Sequence, residues 1–246
     1  MKAIILAGES GTRLHPLTQG IPKPLLPIYD RPMIYYPIET LTTAGVTEIL
    51  IITAPQYVTM FQQALGDGSK FNATFIFVTQ SEPKGIAEAL TIGKDFIGDS
   101  SVILITGDTL FVGEDISMQI NKAIRAIRCS GSATIFVKRD PDEEQYGKVL
   151  LNRMGKWATI VGTSDAFSSS SITGLYIFPN NAVERASNLN KSERGRYEIT
   201  DIINQYLIEK KLQIITLGPG ITWLDTNSYE SLLRASQYIY LKKKNI

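Results

Sequence analysis

Five short runs rich in isoleucine and valine recur through the first half of this chain: "KAIIL" (2–6), "EILIIT" (48–53), "TFIFV" (74–78), "SVILIT" (101–106) and "ATIFV" (133–137). Their hydrophobicity is continuous rather than alternating, which marks strands buried on both faces. The stretches between them, over 32–45, 56–66, 85–98 and 115–129, carry apolar residues at helical spacing. Strand, helix and strand repeated in this way require right-handed crossovers. They predict an α/β fold with a mostly parallel sheet and helices on both faces.

The second half is less regular. Segments 146–151, 156–161, 171–178 and 213–218 are predicted as strands, 198–211 as a helix and 228–244 as a closing amphipathic helix. No internal repeat or linker-like composition interrupts the 246 residues. The chain is therefore expected to be a single domain, 1–246, whose first 140 residues carry the regular α/β part and whose remainder holds a smaller β-rich insertion.

Bulk properties remove several classes of partner. Twenty-five Lys and Arg against 24 Asp and Glu leave a net charge of +1, with no field to gather nucleic acid. The single cysteine, Cys129, can form no internal disulfide, which fits a reducing compartment. Five apolar residues before Gly8 are too few for the core of a signal peptide, and no run reaches membrane-spanning length. The expectation is a cytoplasmic protein that engages neither membrane nor nucleic acid.

The first strand empties into "AGESGTRLHPLTQGIPKPLLP", residues 7–27. Ligands of α/β sheets bind beyond the carboxyl ends of the strands. Glycines there let backbone N–H groups approach and cradle an anion. Gly8 and Gly11 supply the glycines and Arg13 a fixed positive fork. The loop is not a Walker A loop, because Thr12 and Arg13 follow Gly11, and it lacks the third glycine of a dinucleotide fingerprint. A plain strand-to-helix turn is the other reading of the glycines. Lys23 favours an anion site: Pro22 and Pro24 bracket it, so it is expected to be presented from a stiff extended segment. Arg13 and Lys23 together can clamp a triphosphate. Asp108 in "LITGDTLF" and Asp225 in "TWLDTNS" each follow an apolar run. Each alone reads equally as a turn or capping aspartate. As a pair they suit Mg²⁺, a hard cation that prefers carboxylate and phosphate oxygens.

The opening stretch, with "PMIYYPIETLTTAG", "FQQALGDGS", "EITDI" and "WLDT" further on, resembles the sugar-1-phosphate nucleotidylyltransferases. Within them it is most similar to the branch that joins dTTP and glucose 1-phosphate. The resemblance implies a Rossmann-like sheet carrying a sugar-binding insertion, with 1–140 as the nucleotide-binding half and 141–246 as the sugar-binding half. It implies nucleotidyl transfer from dTTP or UTP to a sugar 1-phosphate, Mg²⁺ as cofactor and a homo-oligomer. It gives Leu6, Gly8, Gly11, Thr12, Arg13, Gln80, Gly85 and Asp108 to the nucleotide, with Gln80 offering donor and acceptor to the base. It gives Tyr146, Gly147, Gly174, Arg194 and Trp223 to the sugar phosphate, though Trp223 reads equally as a core residue. Asp108 and Asp225 become the metal ligands, and Arg13, Lys23 and Asp108 the catalytic groups. His15 is read as structural.

The pattern breaks in four places. Glu9 stands where the family has its second loop glycine. A carboxylate within a few ångströms of a triphosphate costs on the order of 1–4 kcal/mol. The family's E-E-K-P is missing from "TIVGTSDAFSSSS" (159–171), Arg196 occupies a position where an acid is usual, and Pro24 replaces a base-reading glutamine. A second reading follows from these: a degenerate relative that keeps the fold and binds nucleotide or an active partner without catalysis.

Overall fold

The computed structural model describes residues 1–9, 11–113, 116–139, 148–151, 157–161 and 169–244. In chain order the strands and helices of the first half are β1 (Lys2–Leu6), β2 (Pro27–Ile28), β3 (Arg31–Pro32), α1 (Tyr35–Thr43), β4 (Glu48–Thr53), α2 (Val58–Leu65), β5 (Thr74–Thr79), α3 (Glu88–Ile92), α4 (Lys94–Ile97), β6 (Val102–Thr106), β7 (Leu110–Gly113), α5 (Ile116–Ser130) and β8 (Ala133–Lys138). The second half continues with β9 (Lys148–Leu151), β10 (Trp157–Val161), β11 (Ser169–Phe178), α6 (Ala182–Ser187), α7 (Ile199–Ile208), β12 (Leu212–Thr216), β13 (Ile221–Leu224) and α8 (Tyr229–Lys244).

The parallel strands β5, β4, β1 and β6 lie side by side in that order, with Ile4 aligned on Leu50 and on Leu104. β11 then pairs antiparallel with β6, and β8 and β12 follow on its far edge. The mixed, mostly parallel α/β sheet expected from the periodicity is thus present. β1, β4 and β6 are buried on both sides: Ile5, Ile51 and Ile105 face one core cluster, Ile4, Leu50 and Leu104 the other. β5, at the sheet edge, departs from the expectation, with Ile76 47% exposed.

β11 is long enough to serve two neighbours on one edge. Leu175 to Phe178 pair with β6, while Ser169 to Ser171 run on past the end of β6 and pair with β9. The β9–β10 pair therefore rises beyond the carboxyl ends of the parallel strands, where ligand crevices of such sheets form. β7 and β13 form a separate ribbon, and α8 packs over Leu14, Leu26, Ile28 and Met33.

Some boundaries differ from expectation for local reasons. The helix expected over 198–211 ends at Ile208, because Lys210 turns left-handed at φ +57 and the Lys211 N–H closes back on the Tyr206 carbonyl. The strand expected at 213–218 runs from Leu212 to Thr216. Lys23 does not sit in an extended segment. Pro22 is extended, but Lys23–Leu25 form a 3-10 turn with Pro24 in its first positions, where a missing N–H costs nothing. The turn folds Lys23 inward, and it is 2% exposed. Among the described residues no helix is long and apolar enough to cross a membrane.

Candidate active site

A cavity of about 370 Å³ opens over the ends of β1 and β6, walled by the glycine loop, the turn after β5, the upper part of β11, the segment before α7, and β13. The loop that follows β1 turns at Gly11, left-handed at φ +60, into a short 3-10 turn over Thr12–Leu14. That turn brings Thr12 and Arg13 to the cavity together with Leu6 and Gly11. Gly8 lies behind the wall: a Cβ there would come within 2.9 Å of the Gln80 Oε1.

The floor is ionic. The Lys23 ammonium donates to the Asp108 carboxylate and, at 2.6 Å, to Asn227 Oδ1. The Asn227 Nδ2 in turn donates to Asp225 Oδ1 at 2.7 Å, and its backbone N–H reaches the same oxygen at 3.2 Å. One continuous chain thus joins the turn before β2, the end of β6 and the loop after β13. Burial works against the charged forms of both Lys23 and Asp108. Their mutual attraction and hydrogen bond more than offset it, so the lysine is held above its ordinary range and the carboxyl below its own. Thr106 adds a hydrogen bond to Asp108.

Glu9 faces this chain from the loop. The neighbouring charge of Asp108 and the loss of surrounding water push its carboxyl up to about 7, against the opposing pull of Lys23, Arg13 and Arg196. Since Glu9 remains exposed at the cavity, repulsion by Asp108 dominates. Two carboxylates, Asp108 and Asp225, meet on one lysine–asparagine bridge. That all-oxygen donor set fits a hard divalent cation such as Mg²⁺.

The opposite end is neutral and set by shape. Gln80, 5% exposed, donates its amide to Glu88 Oε2 at 2.5 Å, and the same oxygen receives the Lys84 N–H at 3.3 Å. One donor of the glutamine is therefore committed within the protein. Gly85 sits at φ +108 with the Tyr197 carbonyl oxygen only 2.3 Å from where a Cβ would lie, so any other residue is excluded. Gly174 holds a similar place on β11. At φ +78, its absent Cβ leaves room for the Thr106 and Thr109 hydroxyls at 2.8 and 2.7 Å.

Arg194 and Arg196 line the wall before α7, Arg194 paired with Glu198 at 3.0 Å. Trp223 is 8% exposed within the core, and it also borders the cavity. His15 is exposed, and its carbonyl accepts the Tyr229 hydroxyl, in keeping with a structural part. Tyr146, Gly147 and most of 159–171, where the E-E-K-P motif is missing, lie outside the described residues.

The sequence reading missed three contributors. Asn227 links the two aspartates through Lys23, and its place two residues after Asp225 is the spacing of an Asx turn, a signal that was legible. Glu88 fixes Gln80. Thr106 joins Thr109 at 2.6 Å beneath Gly174.

This is the architecture of a nucleotidyl transferase. The family model described as Nucleotidyl transferase matches residues 2–241, and the chain belongs to that family. It is 42% identical over 240 residues to a glucose-1-phosphate thymidylyltransferase of Neisseria meningitidis, spanning 97% of this chain and 82% of that one. The Mycolicibacterium smegmatis enzyme of the same name is 41% identical with the same shares covered. A Bacillus anthracis structure assigned as a glucose-1-phosphate thymidylyltransferase, with sucrose bound, superposes at a TM-score of 0.87 and 31% identity, covering 97% of this chain and 94% of that one. A UDP-glucose pyrophosphorylase bound to UDP-glucose shares the fold at a TM-score of 0.84 and 23% identity, with 98% of each chain covered.

Proposed function

We propose that this protein transfers a thymidylyl group from dTTP to glucose 1-phosphate, releasing pyrophosphate. The observation that carries the reading is the Asp108–Lys23–Asn227–Asp225 chain on the floor of the cavity. It offers a buried cation and two carboxylates at the carboxyl ends of β6 and β13. The relatives named as glucose-1-phosphate thymidylyltransferases support the choice of substrates.

The reaction forms a bond from a phosphate oxygen of the sugar phosphate to the α-phosphorus and breaks the bond to the leaving pyrophosphate. The attacking oxygen is already ionised, so no general base is required, and catalysis consists of positioning and charge neutralisation. Arg13 and the backbone of Gly11 and Thr12 bind the triphosphate. Lys23 holds charge at the α-phosphate, its position fixed by Asp108 and Asn227. Asp108 and Asp225 hold Mg²⁺, which when bound neutralises phosphate charge. Leu6 and Gln80 border the nucleoside, with Gly8 behind Gln80 leaving room for its side chain; the remaining Gln80 donor and the close backbone at Gly85 read the base, with Glu88 orienting the glutamine. Gly174, Arg194 and Trp223, with Tyr146 and Gly147, receive the sugar phosphate.

Glu9 favours a second reading, a nucleotide-binding relative with catalysis suppressed, because its carboxylate occupies space beside the triphosphate. Pyrophosphate release with Mg²⁺, dTTP or UTP, and a panel of sugar 1-phosphates separates the two. The first reading expects release that requires one sugar phosphate. The second expects silence in the native chain and release in Glu9→Gly.

A further inference from the structure

The amide of Gln80 has two chemically opposite ends, and its neighbours decide which end points where. Gln80 directly follows β5, and its backbone N–H is tied to the Thr53 carbonyl at 2.8 Å. The side chain lines the cavity and is 5% exposed. Its Nε2 donates to Glu88 Oε2 at 2.5 Å. A carboxylate oxygen accepts and does not donate, so this contact admits the amide in one orientation only. The carbonyl end has its own allowance: Oε1 lies 2.9 Å from where a Cβ of Gly8 would stand. Glu88 takes the amino end, and Gly8 leaves room for the carbonyl end.

Glu88 is itself held in place. It is the first residue of α3, and the oxygen that receives Gln80 also receives the Lys84 N–H at 3.3 Å. The Lys84 ammonium turns instead to Glu82, at 3.3 Å. The Glu88 carboxylate is thus spent on two N–H donors that border the cavity. Turning the Gln80 amide over would set its carbonyl oxygen against that carboxylate and forfeit a charge-assisted hydrogen bond.

This polarity matters because the two pyrimidine edges run in opposite order. Thymine and uracil present an acceptor at O4 and a donor at N3, whereas cytosine presents a donor at N4 and an acceptor at N3. An amide free to exchange its ends matches either edge, and an amide that is locked matches one. We propose that Glu88 is a positioning residue for base selection, which fixes the Gln80 amide so that the cavity admits the thymine or uracil edge and rejects cytosine. The inference rests on the reading of dTTP as the nucleotide of this cavity, and it adds the residue that sets the base. Thymine and uracil share one edge, so the lock does not separate them.

Calorimetric titration of the full chain with dTTP and with dCTP, in Mg²⁺ buffer without sugar phosphate, tests the lock independently of turnover. The wild type is expected to bind dCTP about 10²-fold more weakly than dTTP, the effect of two mismatched hydrogen bonds. Glu88→Leu removes the acceptor at similar volume, and Glu88→Ala removes it with less bulk. Either is expected to lower the dTTP-to-dCTP affinity ratio about tenfold or more, because the amide then turns to meet cytosine. A merely structural part for Glu88 weakens both nucleotides together and leaves the ratio where it was. An unchanged ratio in both variants, or a wild type that binds the two nucleotides alike, overturns the proposal and leaves the nucleotide site standing. A wild type that binds neither overturns the proposal together with the reading on which it rests.

Discussion

The two ends of the cavity are held in place by different physics. At the Lys23 end the structure is held by charge: a lysine 2% exposed meets a carboxylate 14% exposed, and an asparagine carries the connection on to Asp225. At the Gln80 end, among the described residues, the one carboxylate in contact with the glutamine is Glu88, and the fit depends on the absence of a Cβ at Gly85. A buried ion pair fixes geometry but fails badly when one partner is removed. A glycine that admits a neighbour's backbone fails by steric collision. Chemistry at one end and selection at the other should therefore break separately.

The largest separation is expected from Asp108→Ala. It strands Lys23 without its main partner, which typically costs about 3–5 kcal/mol of stability. The same change should lower pyrophosphate release by about 10³-fold, the scale of losing a preorganised electrostatic group. Asp108→Asn keeps the shape and a hydrogen-bond acceptor, so urea unfolding should find most of the stability regained while activity stays lost.

Gly85→Ala should act at the other end. The clash with the Tyr197 carbonyl and the strained φ cost on the order of 1–3 kcal/mol. The kinetic signature should be a raised KM for the nucleoside triphosphate with a much smaller change in kcat. An equal fall in kcat would mean that the two ends are not separable.

Glu9→Gly sharpens the ionic side. Removing a carboxylate from beside the triphosphate should tighten nucleotide binding by about tenfold, the lower part of the Coulomb range at intermediate dielectric. Calorimetric titration with dTTP reads it directly.

The smallest effect is a pH dependence. The Glu9 carboxyl is raised from 4.5 to about 7, so the folded state binds the extra proton more tightly than the unfolded chain does. Stability from this group is full below pH 4.5 and is lost as pH rises through about 7. In metal-free buffer, unfolding free energy should decline over that window in the wild type and decline less in Glu9→Gln. Asp108 contributes with the opposite sign, since its lowered carboxyl loses stability only as pH falls below the usual carboxylate range.

The parallel half was legible because its strands are short, continuous in hydrophobicity and separated by helices: β1 and β4 lie at their expected residues. The glycine loop, Arg13, Asp108 and Asp225 were legible because a loop after a strand, or an aspartate ending one, carries meaning without tertiary information. The ribbon of β7 and β13 was not expected, because four-residue strands paired across more than a hundred residues leave no periodic trace. The inward turn of Lys23 was also hidden. Proline spacing specifies stiffness, whereas the direction of the side chain is decided by Asp108, 85 residues away. The turn of Asn227 onto Asp225 was legible from its spacing, but its link to Lys23, 204 residues away, was not.

The central claim is that the Asp108–Lys23–Asn227–Asp225 chain is the catalytic floor rather than a structural ion pair. The most direct test is pyrophosphate release by Asn227→Ala with Mg²⁺, dTTP and glucose 1-phosphate, beside its Tm. The substitution removes the link between the two aspartates and leaves the Lys23–Asp108 pair intact. The account predicts at least about a tenfold fall in kcat, from loss of one charge-assisted contact, with Tm close to that of the native chain. Native kcat in Asn227→Ala would contradict it.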